Sequence, residues 1–186
     1  MRTIWDNQVN MFRYHRDLVA THPFSSSWWQ WPIIQRPLWQ YVANLPDGRV
    51  QTMSSIGSPA VWWVGIAATA VVLAKVVYGK LKEKPFPGER EAVFLLVAYA
   101  AQLLPWVPVT RLTFIYHYFP SVPFVVLLIT WLFRYFIKER RLMFAYAGVV
   151  LLFFVLFYPV ISGMAVSPEY VLNLQWLPGW IFVWVP

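Results

Sequence analysis

The chain contains four long apolar stretches separated by shorter polar connections. They cover residues 59–78, 91–109, 116–137 and 142–161. Each is close to the roughly 20 residues that a helix needs to cross a hydrocarbon core of about 30 Å. Hydrophobic residues make up 59% of the chain and charged residues only 12%, whereas soluble domains have about 25% charged residues. The pattern predicts an all-α integral membrane protein with four transmembrane helices.

The charged residues predict how these helices are oriented. Nine of the fifteen basic residues lie in or beside two connections: Lys75, Lys80, Lys82, Lys84 and Arg90 at the first, and Arg134, Lys138, Arg140 and Arg141 at the second. The positive-inside bias predicts that both connections are cytoplasmic and that the N- and C-termini are exoplasmic, in a multi-pass protein of the cell membrane. Orientation therefore explains the net charge of +7 without nucleic acid as a partner.

The segments outside the apolar stretches are amphipathic or aromatic. Residues 4–19 mix apolar and charged positions, which predicts an interfacial helix. Residues 22–41 form a loop whose aromatic residues are typical of a headgroup belt: Trp28, Trp29, Trp31, Trp39 and Tyr41. We therefore divide the chain into an exoplasmic segment 1–58, a four-helix region 59–161 and an exoplasmic interfacial tail 162–186.

Two further features limit the chemistry. The absence of cysteine excludes disulfides and thiolate metal sites. Residues 1–21 carry charges throughout and have no continuous apolar core, so we expect no cleavable signal peptide.

Three ordered motifs resemble the C-terminal four-transmembrane region of protein O-mannosyltransferases, especially bacterial ones. The first comprises His15, Leu18, Thr21-His22-Pro23-Phe24, Ser26, Trp28, Trp31-Pro32, Arg36-Pro37 and Tyr41. The second is Ser55-Ile56-Gly57-Ser58-Pro59 with Trp62-Trp63, in which Ser58 replaces the family's usual Asn. The third comprises Leu104-Pro105-Trp106, Arg111, Phe114 to Pro120, and Pro123-Phe124. The resemblance covers nearly the whole chain.

The resemblance implies part of a GT-C glycosyltransferase fold. Such enzymes move mannose from polyprenyl-phosphate mannose to Ser or Thr hydroxyls of exported proteins, with the membrane lipid as surroundings and no other cofactor. Their catalytic acidic pair lies in the N-terminal half, and none of the eight acidic residues here forms an adjacent pair. The resemblance thus implies that this chain supplies donor-lipid contacts and scaffold, has no catalytic residue, and needs that N-terminal half or a partner chain for activity.

Arg111 is the first candidate for a donor contact. It lies between two apolar stretches, at the depth of a lipid phosphate, and a guanidinium binds two phosphate oxygens at once. Snorkelling to headgroups is the alternative. His117, with Tyr116 and Tyr118 on either side, is expected to hydrogen-bond the same phosphate or line the donor cavity. An interfacial cluster with satisfied hydrogen bonds explains these three residues equally well.

Three further polar residues lie in the first segment. His15 and His22 without a third ligand are a weak metal signal, so we expect no metal and assign them either to donor or acceptor hydrogen bonding or to a structural role. Arg36 is expected to stack on a nearby tryptophan, with phosphate contact as the alternative.

Two other functions remain open. The chain taken alone fits a non-catalytic four-helix assembly or lipid-binding module, because it has no clustered carboxylates. A small transporter fits less well, because the apolar stretches have almost no ionisable residues of the kind that mark ion paths.

Overall fold

The computed structural model describes residues 2–17 and 20–184, with side chains for residues 3–14 and 20–184. Its elements are α1 (Arg2–Asp17), β1 (Leu38–Asn44), β2 (Val50–Ser55), α2 (Pro59–Leu81), α3 (Glu89–Leu103), α4 (Val122–Trp131), α5 (Arg140–Ser162) and α6 (Pro168–Asn173). Short 3-10 helices cover Trp28–Gln30, Leu104–Trp106 and Ile115–Ser121, and a π-helix covers Leu132–Ile137. The predicted N-terminal helix is present as α1; Leu18 and Val19, its last predicted residues, lie outside the described part.

Strands β1 and β2 pair antiparallel, so the all-α prediction is wrong for this segment. In β2 the buried positions alternate, but two of the three are polar: Val50, Thr52 and Ser54. This polar inner face hides the period-two signal that predicts a strand. The Thr52 hydroxyl donates to the Phe182 carbonyl at 2.5 Å and accepts from Trp39 Nε1 at 3.0 Å, so its burial is compensated.

Three helical stretches of the described chain are long and apolar enough to cross a membrane: Pro59–Leu81, Ile115–Ile137 and Arg140–Ser162. They correspond to the first, third and fourth predicted spans. The second is shorter than predicted, because α3 has 15 residues and passes into the 3-10 turn Leu104–Trp106. Pro105 and Pro108 explain this early end, since proline lacks the N–H that would continue the helix.

Helices α2 and α4 form the centre of the bundle: α2 contacts α3, α4 and α5, and α4 also contacts α3. Gly65 on α2 permits close packing, because a Cβ there would collide with the Val125 side chain. One core includes Trp62, Ile115 and Val125, and a smaller core joins Val72, Ala92 and Leu128. Helix α5 packs on α2 and on strand β2.

The segments predicted to be exoplasmic meet at one end of the bundle. Ser26 N–H donates to the Thr113 carbonyl at 2.9 Å, and Val50 pairs with Val166 as an isolated bridge. At the far end of α2, Lys80 Nζ lies 2.7 Å from Glu89 Oε1. The two predicted sets of segments are therefore at opposite ends of the molecule.

The tail after α6 returns to the core. Trp180 is 1% exposed, and its indole Nε1–H donates to the Ile34 carbonyl at 2.5 Å. Gly179 lies so close to the Gln35 carbonyl that it leaves no room for a side chain. Phe182 is fully buried beside the hairpin. Residues 177–184 thus form a docked strap over the loop and hairpin.

Candidate functional site

Arg111 lies in an irregular segment between the 3-10 turns Leu104–Trp106 and Ile115–Ser121. It is half-buried and lines two cavities. The first, of about 240 Å³, is mostly polar and is lined by Ala20, Ser25, Ser26, Ser27, Gln30, Thr110, Leu112 and Thr113 besides Arg111. The second, of about 450 Å³, is lined by Gln8, Met11, Phe12, Pro108, Val109 and Thr110. Among the side chains that the structure describes, none forms a hydrogen bond or an ion pair with the Arg111 guanidinium. We call these two cavities together the Arg111 cleft.

A buried hydrogen-bond pair forms the floor of the polar cavity. Thr113 Oγ1 donates to the Ser26 carbonyl at 2.7 Å, while Ser26 N–H donates to the Thr113 carbonyl. Trp31 Nε1–H donates to the same Ser26 carbonyl at 3.1 Å. Residues 25–27, which we call the serine loop, are thereby fixed against the segment that carries Arg111.

His117 lies in an aromatic cluster below this segment. Its ring centroid lies 4.5 Å from that of Trp106, 4.4 Å from that of Tyr116 and 5.8 Å from that of Trp31. Nδ1 lies 3.1 Å from the Phe114 backbone nitrogen and 2.9 Å from the Phe114 carbonyl oxygen, so it pairs with the Phe114 backbone in either tautomer. Nε2 is therefore the ring nitrogen left for any further partner.

The two neighbouring tyrosines have different surroundings. Tyr116 is 42% exposed and stacks on His117. Tyr118 is 1% exposed, its hydroxyl lies 2.9 Å from that of Tyr99, and its ring meets Trp62 edge-on at 4.7 Å. Tyr118 thus belongs to the core, while Tyr116 remains available at the surface.

His22 borders the Arg111 segment from the other side. Its Nδ1 accepts from the Phe24 N–H at 3.2 Å, and its ring packs edge-on against Phe114 with centroids 5.1 Å apart. His15 lies on α1, but its side chain is outside the described set. Among the described residues there is no group of three or more His, Cys, Asp or Glu that could hold a metal ion.

Arg36 has a different role from the predicted stacking. Its Nη1 donates to the Pro23 carbonyl at 3.2 Å and to the Ser25 carbonyl at 3.3 Å. Within the described chain, the cation–π contacts involve Lys75, Arg134 and Arg140 instead. The prediction that Arg36 stacks on tryptophan is therefore wrong: two backbone carbonyls without other donors attract the guanidinium more strongly than an aromatic face does.

Sequence reasoning missed most of the polar wall. The sequence motifs indicate no site role for four residues that line the polar cavity: Ser25, Ser27, Gln30 and Thr113. Three consecutive serines do precede Trp28. That run is the only local signal for the wall. Thr113 has no local signal, because its position depends on pairing with a residue far away in the chain.

The fold and cleft define a class of protein: a multi-pass membrane module with an arginine where a polar and an apolar cavity meet. Residues 1–180 match the family described as the C-terminal four-transmembrane region of protein O-mannosyltransferase. The chain belongs to this family, as the sequence motifs predicted.

Relatives of known function support the same assignment. The chain is 28% identical over 204 residues to the polyprenol-phosphate-mannose–protein mannosyltransferase of Mycobacterium tuberculosis, covering 97% of this chain and 37% of that protein. It is 25% identical to dolichyl-phosphate-mannose–protein mannosyltransferase 3 of Saccharomyces cerevisiae, covering 86% of this chain and 24% of the yeast protein. The chain thus spans little more than a third of the mycobacterial relative.

A solved structure has the same fold. It is the S. cerevisiae protein O-mannosyltransferase Pmt1–Pmt2 complex bound to the sugar donor, with a TM-score of 0.77 and 22% sequence identity. The likeness covers 96% of this chain and 26% of the yeast chain. Together with the family match, it identifies this chain as a multi-pass membrane protein.

Proposed function

We propose that this chain is part of a membrane mannosyltransferase and that the Arg111 cleft binds the phosphate of a polyprenyl-phosphate mannose donor. The proposal rests on the position of Arg111, which is half-buried between a polar and an apolar cavity. A lipid-linked sugar phosphate has the same division: a polar sugar, a charged phosphate and an apolar chain. The donors named for the bacterial relatives belong to this chemical class.

Each part of the cleft matches one part of such a donor. The Arg111 guanidinium grips two phosphate oxygens. The serine hydroxyls and the Gln30 amide of the polar cavity can hydrogen-bond the hydroxyls of a sugar. Met11, Phe12 and Val109 offer apolar contacts to the first units of the polyprenyl chain. Tyr116, His117 and His22 border the phosphate position and are proposed as secondary contacts. Arg36 and Tyr118 support the cleft by holding the serine loop and the core.

In the transfer step, a carboxylate takes the proton of the acceptor Ser or Thr hydroxyl. The hydroxyl oxygen then bonds to the mannose anomeric carbon while the bond from that carbon to the phosphate oxygen breaks. Arg111 stabilises the negative charge that develops on the leaving phosphate. We propose that the carboxylate comes from the N-terminal half of the enzyme or from a partner chain, and that the cleft faces the exoplasmic side, where exported proteins emerge.

Transfer of radiolabelled mannose from polyprenyl-phosphate mannose to a Ser/Thr-rich peptide tests the proposal. The chain is assayed alone and together with an N-terminal half that carries the acidic pair. Turnover only in the mixture supports a scaffold and donor-binding role. Turnover by the chain alone would show that the catalytic base lies here after all.

Arg111 is tested in the same mixture. We expect Arg111→Ala to lower turnover about 100-fold, as for loss of a donor to a developing oxyanion. Arg111→Lys keeps the charge without the paired N–H groups, so its turnover should lie between that of the unaltered chain and that of Arg111→Ala. Arg90→Ala at the opposite end of the bundle is the matched control. Equal activity of the Arg111→Ala and Arg90→Ala variants would contradict the proposal.

The second candidate is a non-catalytic lipid-binding module. The absence of any adjacent acidic pair in the sequence favours it for the chain taken alone. Saturable binding of the donor lipid, without turnover in either the chain or the mixture, would support this alternative.

A further inference from the structure

A second apolar depression lies along the side of the bundle, away from Arg111. Its outer part, of about 800 Å³, is bounded by residues 56–58, by the start of α2, and by the Ile115–Ser121 turn with the first turns of α4. Its inner part, of about 300 Å³, lies between α4 and α5 and reaches Phe133 and Tyr146. Val61 and Val126 line both parts, so the two form one continuous groove. We call it the α4 groove.

The length of the α4 groove matches one leaflet of a bilayer. It runs from Val122 at the start of α4 to Phe133 in the π-helix that follows, eleven residues further along the chain, or about 16 Å at 1.5 Å per residue. Half of a hydrocarbon core of about 30 Å is nearly the same length. Apart from residues 56–58, the walls belong to helical stretches long and apolar enough to cross a membrane, so we expect lipid rather than water along this groove.

A polar group marks one end. Ser58 lines the outer part of the groove. Its hydroxyl oxygen is shielded from solvent and has no hydrogen-bond partner among the residues that the structure describes. A shielded hydroxyl without a partner costs free energy, so a ligand acceptor at this position is favoured. Ser58 precedes α2, at the end of the bundle where the hairpin and loops meet.

We propose that the α4 groove binds one acyl chain of a bilayer phospholipid, with the Ser58 side chain rotating so that its hydroxyl donates a hydrogen bond to the ester carbonyl of that chain. The length favours this occupant over a long polyprenyl chain, which would extend well past Phe133. The groove shares no lining residue with the Arg111 cleft. The bound phospholipid is thus a structural partner that fills the space between α4 and α5, independent of the donor.

Photocrosslinking of the unaltered chain tests the site. The chain is reconstituted with a phospholipid that carries a diazirine in the middle of one acyl chain, and adducts are mapped by mass spectrometry. We expect adducts at Val126 and Ile129 to exceed several-fold those at Leu151 and Leu152, which are exposed on α5 and line none of the described cavities. Equal labelling of both groups would overturn the proposal, because it would indicate only bulk lipid.

Retention of lipid after extensive detergent washing gives a second readout. We expect about one phospholipid per chain, lost in Val126→Phe, reduced several-fold in Ser58→Ala and unchanged in the matched control Leu151→Phe. Retention in Val126→Phe equal to that in Leu151→Phe would contradict the groove. Polyprenyl phosphate in place of phospholipid in the retained fraction would contradict the proposed occupant. The crosslinking experiment requires no substitution, so it decides the question even if Val126→Phe does not fold.

Discussion

Ser26 and Thr113 hold each other by two reciprocal hydrogen bonds across 87 residues of chain. Both residues are buried, at 5% and 6% exposure. The pair joins the serine loop to the segment that carries Arg111, so the polar cavity exists only when the two segments are paired.

Thr113→Val tests this pairing with a side chain of nearly the same shape. The substitution removes the hydroxyl donor but leaves the backbone bond and the Trp31 contact, so the Ser26 carbonyl keeps a partner. We expect a loss of about 1 kcal/mol in the free energy of unfolding, measured by thermal or denaturant unfolding in detergent. Thr21→Val, at an exposed position, is the control and should have no effect. Equal stability of the two variants would show that the pair contributes nothing.

Gly179 and Gly148 form a matched pair of glycine positions. An added Cβ at Gly179 would collide with the Gln35 backbone carbonyl, whereas Gly148 on α5 has open space. We expect Gly179→Ala to displace the strap, expose Trp180 and increase cleavage of residues 177–184 in limited proteolysis. Gly148→Ala should leave proteolysis unchanged and, as a helix-interior substitution, stabilise by up to about 1 kcal/mol. A protected strap in Gly179→Ala would contradict the docked position.

The hairpin turn should depend on pH through Asp47. Arg49 Nε–H donates to Asp47 Oδ2 at 2.8 Å, and this bond, with that from the Arg49 backbone, holds the pKa of Asp47 below its ordinary value. A carboxylate with a lowered folded-state pKa stabilises the fold above its unfolded-state pKa and loses that contribution as the pH falls through the folded-state value.

We therefore expect the turn to loosen below about pH 4. The measurement is hydrogen exchange of the Leu45 amide, which donates to the Arg49 carbonyl at 2.8 Å. In the unaltered chain, protection of the Leu45 amide should decrease as the pH is lowered. In Asp47→Asn it should stay constant. The same pH dependence in both proteins would assign it to another group.

The orientation of the bundle can be measured directly because the chain has no cysteine. Pro46 in the hairpin turn and Lys138 at the opposite end of the bundle are both exposed. Each is replaced singly, as Pro46→Cys or Lys138→Cys, to give one reactive thiol. With a membrane-impermeant maleimide on intact cells, we expect labelling of the first variant only, because the basic connections should be cytoplasmic. Labelling of Lys138→Cys alone would reverse the proposed orientation.

Hydropathy predicted the long helices well and the short elements poorly. The span predicted at 142–161 is present as Arg140–Ser162, because an apolar run of that length has no other stable arrangement in lipid. The hairpin was missed because Thr52 and Ser54 occupy its buried face. Residue type alone predicts that Trp31 lies in the headgroup belt, yet it is fully buried against Trp106 and His117.

The sequence by itself determined the membrane class, the positions of the three long apolar helices and the family. These depend on local composition and on ordered motifs. Tertiary structure alone decided the polar wall opposite Arg111, the engagement of Arg36 by two carbonyls and the burial of Tyr118. These depend on pairings such as Ser26 with Thr113, and contacts between distant residues form only when the whole chain has packed.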